Sequence, residues 1–417
     1  MRSSHFFWAY SRYDDTMNKQ TEYSLRRSEV LKSLGDHAGL VFAGTSTETL
    51  ETTWRPHPHF EYLTGVTNEP GALLLFDPTN PVPARREVLF LPPRDPEKEQ
   101  WDGLRKPLGS KLREEVGIAT ILRSGSLSIV LADITARSKR FATLMPSATV
   151  NQNRSLDLEM FQNISTRTPN CEIADKSSVI PMLRSVKSKS ELQTIQEAVD
   201  ITAAGFKKAM LFVCDGVNEF QVQATLEYGY AMAGGRGSAF PPIVGSGLNS
   251  TVLHYKENDQ NLIDGEIVCI DSGAFHQGYG ADISRTIPVS GTFTKRQAEV
   301  YSIVLEAEEA AIHAVKPGVT LAELDAIARA IIVKAGYGDY FIHSIGHHLG
   351  LETHDSCGPP TPLEVGAVIT IEPGIYLPDE SIGIRIEDDI LVTENGYENL
   401  SKAIPKTIDE IQSAMMA

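Results

Sequence analysis

An α/β amino-terminal domain followed by an α+β domain with a pseudo-two-fold internal repeat is the fold class this sequence predicts. Two observations predict it. Apolar runs alternate with helical stretches between about residue 20 and residue 170, the pattern of an α/β domain. Beyond a polar, irregular stretch at 165–188, two helices followed by strands occur twice. The expected layout is an extension without fixed structure over 1–20, a first domain over 21–170 and a second over 175–417. Translation starting at Met17 would be an alternative to the extension.

The elements follow in order. A helix is expected over Glu22–Leu34, then buried strands at Gly39–Gly44, Gly71–Phe76 and Arg86–Leu91. In the second domain Ser188-Lys-Ser-Glu191 reads as a capping box, and Leu192, Ile195, Val199, Thr202 and Phe206 follow at helical spacing. A second helix starts near Asn218 and stops at Gly234-Gly235. Strands follow, at Ile267–Asp271 and Asp282–Val289. The pattern then repeats: Thr294 caps a helix ending at Lys316-Pro317-Gly318, Thr320 caps the next, and strands run over Ala367–Tyr376 and Gly383–Val392.

Each half carries two acids set across a hairpin. A turn at His276–Gln277 would place Asp271 opposite Asp282, and a turn at Asp379–Glu380 would place Glu372 opposite Glu387. Directly opposed like charges destabilise a sheet. Taken singly, Asp and Glu are usually solvated, but opposition in two hairpins at once calls for cations between them. With His347, the set offers oxygen and nitrogen donors and no thiolate, which suits a two-metal hydrolytic site. His343 and His354 are candidate donors to an oxyanion, and His254 sits where a loop or short strand would carry it over the site. His348 is a wall or solvent residue, and His57, His59 and His276 are expected at the surface.

Composition narrows the class further. Apolar residues make up 41% and charged residues 22%, a soluble globular balance. The net charge is −16 with no Lys/Arg-rich run, which speaks against nucleic acid. No apolar run approaches the ~20 residues of a membrane span, and no secretory leader is evident at the start. Cys171, Cys214, Cys269 and Cys357 form no CxxC pair, so a reducing, cytoplasmic setting without disulfides is expected. Cys269 reads as core and Cys357 as a bystander near the site. Neither a GxSxG nucleophile elbow nor a phosphate or dinucleotide loop is present in the context it needs.

The ordered set Asp271, Asp282, His347, Glu372 and Glu387 resembles the metal signature of the pita-bread metallopeptidases. The stretches Gly245–His254, Ala281-Asp282-Ile-Ser-Arg-Thr, His343–His354, Ile371-Glu372-Pro-Gly-Ile-Tyr and Gly383–Asp389 are similar to its proline-specific branch, the Xaa-Pro aminopeptidases (aminopeptidase P) and prolidases. Arg55, Phe60–Pro70 and Arg94-Asp95 … Trp101 are similar to the aminopeptidase P amino-terminal domain. His348 and Glu61 depart from relatives that carry large aromatics there.

The resemblance implies hydrolysis of the N-terminal Xaa-Pro bond of peptides by a hydroxide bridging two divalent metals, most readily Mn. Asp271, Asp282 and Glu387 would bind one metal, and Asp282, His347, Glu372 and Glu387 the other. Glu372 would also shuttle the proton to the leaving amine. His254 would contact the scissile amide and His354 the oxyanion, with Arg385 and Tyr376 behind the ligands. A homodimer or homotetramer is implied. The alternatives are a prolidase confined to Xaa-Pro dipeptides, and a non-catalytic binding protein on this fold, which would be expected to have lost ligands.

Overall fold

The computed structural model describes residues 19–45, 54–146, 151–355 and 361–416, so the extension expected at 1–20 and Cys357 fall almost wholly outside it. The chain divides into two compact units, one reaching Arg184 and the other beginning at Ser185.

The first unit is a six-stranded mixed sheet with helices. Its strands are β1 (Ala38–Phe42), β2 (Leu73–Phe76), β3 (Glu87–Leu91), β4 (Thr120–Arg123), β5 (Arg140–Thr143) and β6 (Glu172–Asp175), in the order β4-β3-β2-β1-β5-β6. The helices are α1 (Lys19–Leu34), α2 (Pro58–Thr64), α3 (Pro96–Asp102), α4 (Ser110–Val116), α5 (Leu127–Arg137), α6 (Leu156–Ser165) and α7 (Val179–Ser185). Leu40, Leu75, Phe90, Phe141 and Phe161 fill the core, each such side chain contributing roughly 1.5–3 kcal/mol by leaving water. The sheet does not end at residue 170. β6 pairs in parallel with β5, so the unit runs past 170 to Arg184, still within the polar stretch 165–188 where the sequence predicts the boundary. A short polar strand at a sheet edge carries no apolar run to announce it.

His59 corrects a second expectation, because it is buried within α2. Arg184 Nη1 donates to its Nδ1 at 2.9 Å, which gives the imidazole a place inside the unit. His57 is only partly buried and caps α2, its ring accepting from the His59 amide. His276, in the second unit, is half-buried beside Glu197.

The second unit repeats one theme. Helices α8 (Lys189–Phe212) and α9 (Glu219–Met232) precede β7 (Ile243–Ser246), β8 (Ile267–Ser272), β9 (Phe275–His276), β10 (Tyr279–Gly280) and β11 (Ile283–Pro288). Helices α10 (Lys295–Ala314) and α11 (Leu321–Lys334) precede β12 (Val368–Ile371), β13 (Gly374–Leu377), β14 (Ile382–Arg385), β15 (Asp388–Thr393) and β16 (Gly396–Asn399), and α12 (Ile408–Met416) follows. Each half builds one three-stranded sheet, β11-β8-β7 or β12-β15-β16, and one short hairpin, β9–β10 or β13–β14. Ser188, Asn218, Thr294 and Thr320 all close capping boxes, each cap contributing on the order of 1 kcal/mol.

The hairpin registers place the acids. In the second hairpin Ile371 pairs with Asp388 and Gly374 with Arg385, so one register runs through the gap and sets Glu372 opposite Glu387, as expected. Pro373, which has no N–H to donate, occupies that gap. In the first hairpin the expectation fails by one residue. Asp271 pairs with Ser284, not Asp282, and His276 pairs with Tyr279. The turn is therefore Gln277–Gly278, both with positive φ (46° and 95°), the geometry of a two-residue primed turn that favours glycine second. Moving a turn centre by one residue moves each partner by two. Asp282 thus keeps the face of Asp271 but stands diagonal to it.

Candidate metal centre

Both hairpins bring their acids to one place. Asp282, His347 and Glu387 offer ligand atoms that all lie within 4.8 Å of one another. His347 Nε2 is 3.3 Å from Asp282 Oδ2 and 3.6 Å from Glu372 Oε1. Its ring is aimed by Nδ1, which meets the His348 carbonyl at 3.0 Å, and its amide donates to Thr370 Oγ1 at 3.1 Å. Burial pulls the imidazole down to about 4. It is therefore neutral, the form that ligates metals.

The carboxylates crowd one another. Burial, then the charges of Glu387, Asp271 and Glu372, pushes the Asp282 carboxyl well above the usual range. Burial and the Glu372 and Asp271 charges do the same to Glu387. Glu372 is pushed up to about 7, mainly by burial, with Arg385 opposing. Asp271 Oδ1 is buried without a hydrogen-bond partner among the described residues. Crowded acids, a neutral imidazole and an orphaned carboxylate oxygen are what divalent cations would satisfy, so this donor set fits them.

A second layer fixes the first. Arg385 is buried, and its Nη2, Nη1 and Nε donate to Asp271 Oδ2 at 2.8 Å, Tyr376 OH at 3.0 Å and Ser284 Oγ at 2.9 Å. Ser284 in turn donates to Glu387 Oε2 at 2.7 Å. Asp282 N donates to Asp389 Oδ2 at 3.2 Å. Ser284, Thr370 and Asp389 were not singled out from sequence; their partners are 103, 23 and 107 residues away, and no local pattern marks such contacts.

The other histidines divide. His354 is exposed, with its ring centroid 4.2 Å from that of His347, edge to face. His254 is exposed on the turn after the short helix Gly247–Thr251. His343 does not offer the free donor expected of it. Its Nδ1 meets the Ser344 carbonyl and its Nε2 the Tyr376 hydroxyl, both at 2.8 Å. Burial lowers it to about 4, so it stays neutral and accepts from Tyr376. His348 is buried, and Cys269 is core, as expected.

Carboxylates on the two hairpins, with an imidazole from the segment before β12, define a metal-dependent hydrolase centre. The profile of metallopeptidase family M24 matches residues 193–394, and that of the aminopeptidase P N-terminal domain matches 23–143. The chain belongs to metallopeptidase family M24, in its aminopeptidase P branch. It is 32% identical to the mitochondrial intermediate cleaving peptidase 55 of Arabidopsis thaliana, over 94% of this chain and 82% of that one. It is 41% identical to a Xaa-Pro dipeptidase of Pyrococcus furiosus over a shorter stretch, 63% of this chain and 76% of the other. Aminopeptidase P from E. coli, solved with the inhibitor Pro-Leu, superposes with a TM-score of 0.84 at 30% identity, covering 96% of this chain and 99% of that one. Among the described residues no helix is long and apolar enough to cross a membrane.

Proposed function

We propose that this chain is a Xaa-Pro aminopeptidase, releasing an N-terminal residue whose neighbour is proline. The observation that carries the reading is the convergence of Asp282, His347 and Glu387 from both halves of the second unit. Asp271 and Glu372 would complete the ligand set, with Asp282 and Glu387 serving two cations. When bound there, two divalent cations, Mn in our reading, supply Lewis-acid polarisation of the scissile carbonyl and acidify the attacking water.

The chain's own residues do the rest. Glu372 takes the proton of the attacking water and passes it to the prolyl nitrogen. His354, beside His347, donates to the oxyanion. His254 contacts the scissile amide. Arg385, Tyr376 and His343 form a chain of hydrogen bonds that holds Asp271 in place. This chain also bears on substrate length. A dipeptidase needs a cation for the free carboxylate beyond proline, and the Arg385 guanidinium is committed to Asp271, Ser284 and Tyr376. A cytoplasmic dimer or tetramer is the assembly we assign, and sedimentation tests it. Trp101 and Leu104, 88% and 84% exposed, are apolar surface in the first unit that a second copy would cover.

The test compares Xaa-Pro-Yaa peptides with Xaa-Pro dipeptides. The longer peptides should be cleaved with a kcat/KM at least equal to that of the dipeptides, and replacing proline by alanine should abolish cleavage. Similarity to the Pyrococcus dipeptidase favours prolidase as the second reading. Turnover confined to dipeptides would establish it.

A further inference from the structure

Glu219, the first residue of α9, is wholly buried, and no lysine or arginine among the described residues donates to it. Five donors converge on it instead. Oε1 accepts from Ser246 N at 2.7 Å, Ser246 Oγ at 2.8 Å and Asn249 Nδ2 at 3.3 Å. Oε2 accepts from Tyr255 OH at 2.9 Å and Gln260 N at 3.0 Å. A carboxylate has about four lone-pair sites, so this one is saturated. A buried charge without a cation is costly unless so satisfied.

All four donor residues lie in one stretch of chain, from Ser246 at the end of β7 through the short helix Gly247–Thr251 to Gln260, and the loop after that helix is held with it. One turn along α9, Gln223 accepts from Asn258 Nδ2 at 2.9 Å, and Asn258 Oδ1 accepts from Val244 N at 3.0 Å. On the other side, Gly383 N donates to Ser250 Oγ at 2.8 Å, joining the loop to β14, the strand that leads to Arg385 and Glu387. The loop carries His254. That imidazole is exposed and makes no side-chain hydrogen bond to a described residue, so the loop alone sets its position.

We infer that Glu219 is the positioning residue for His254: it ties Ser246, Asn249, Tyr255 and Gln260 to α9 and so fixes the loop from which His254 reaches the substrate. This rests on the catalytic reading of His254. A reacting group displaced by 1 Å can lose about 10²-fold in rate, and a free side chain on a free loop would lose more than that.

The test is a double-mutant cycle on the metal-loaded enzyme. Glu219→Gln should lower kcat by about 10²-fold with KM nearly unchanged and metal content intact. Tyr255→Phe, which keeps the volume and removes the hydroxyl that meets Glu219 Oε2 and Asp259 Oδ1, should give a smaller loss of the same kind and guards against a Glu219 variant that fails to fold. In a His254→Ala background both substitutions should cost nothing further in kcat. The amides of Ser246 and Gln260 should exchange faster in both variants. An equal loss in the two backgrounds, or unchanged exchange, overturns the proposal. Wild-type turnover by His254→Ala overturns the reading of His254 beneath it; faster loop exchange in Glu219→Gln would then show that the tether was real and the catalytic role was not.

Discussion

Ser284 donates its hydroxyl to Glu387 across 2.7 Å, joining the two halves of the repeat at a proposed ligand. The same oxygen accepts from Arg385 Nε at 2.9 Å. Ser284→Ala leaves both buried partners, Glu387 and Arg385, short of a bond. Second-layer changes of this kind typically cost 10–100-fold in metal affinity. We predict a loss on the order of 10-fold for Ser284→Ala, read by chelator competition. Unchanged affinity would make the hydroxyl a spectator.

Two substitutions separate holding cations from using them. Asp282→Ala should leave purified protein nearly free of metal, because Asp282 is proposed to serve both positions. His354→Ala should retain the metals and lose roughly 10²-fold in kcat, as for one lost oxyanion donor. Elemental analysis beside turnover decides it. Two metals per chain in Asp282→Ala would contradict the sharing.

Removing metal should lower the melting temperature of the second unit. Asp282, Glu372 and Glu387 then face one another with nothing between them, and burial pushes all three carboxyls upward. A cation binding only the folded chain stabilises it by about 2.7 kcal/mol at a hundred times its Kd. Scanning calorimetry with chelator and with saturating Mn should show separated transitions. Coincident curves would argue against a preformed site.

The first unit should weaken in acid through its buried histidines. Burial, then the Arg184 charge, lowers His59 to about 2 and His57 to about 4. Below the ordinary value near 6.5, the unfolded chain gains protons that the folded chain does not. Stability is therefore complete above about pH 6.5 and falls as pH drops toward 4, by about 1.4 kcal/mol per pH unit for each such proton. Opening free energies from exchange at the Glu61 and Gly65 amides, corrected for intrinsic rates, should show a slope one proton shallower in His59→Gln. An identical slope would mean that His59 titrates alike in both states.

Much of this was legible in the chain. Three caps, at Ser188, Thr294 and Thr320, marked helices of the second unit because Ser or Thr three residues before Glu or Gln satisfies orphan amides at short range; the box at Asn218 emerged only in the structure. The opposition of Glu372 and Glu387 followed from counting back from a turn. The same counting missed by one at Asp271, where the weight given to His276–Gln277 overlooked Gly278, the residue able to hold φ 95°. Burial of His59 and the locking of His343 depend on Arg184 and Tyr376, distant in sequence, and nothing local encodes them. The diagonal pair still shared a face, so the site survived the error in register.

The single register of the second hairpin insulates its acids from its tip. The rungs from Gly374–Arg385 to Leu377–Ile382 lie between Glu372–Glu387 and the turn, where Pro378, Asp379 and Glu380 are exposed. The Glu380 carboxylate ties that turn to α10 by accepting from Arg296 Nε and Nη2, both at 2.7 Å, a half-exposed bidentate pair that an insertion beside it can leave in place. The tip is thus a port for grafting. An epitope or fluorophore loop inserted between Asp379 and Glu380 would lengthen a solvent loop, at about 0.6 kcal/mol per doubling, and leave every rung beneath it in step.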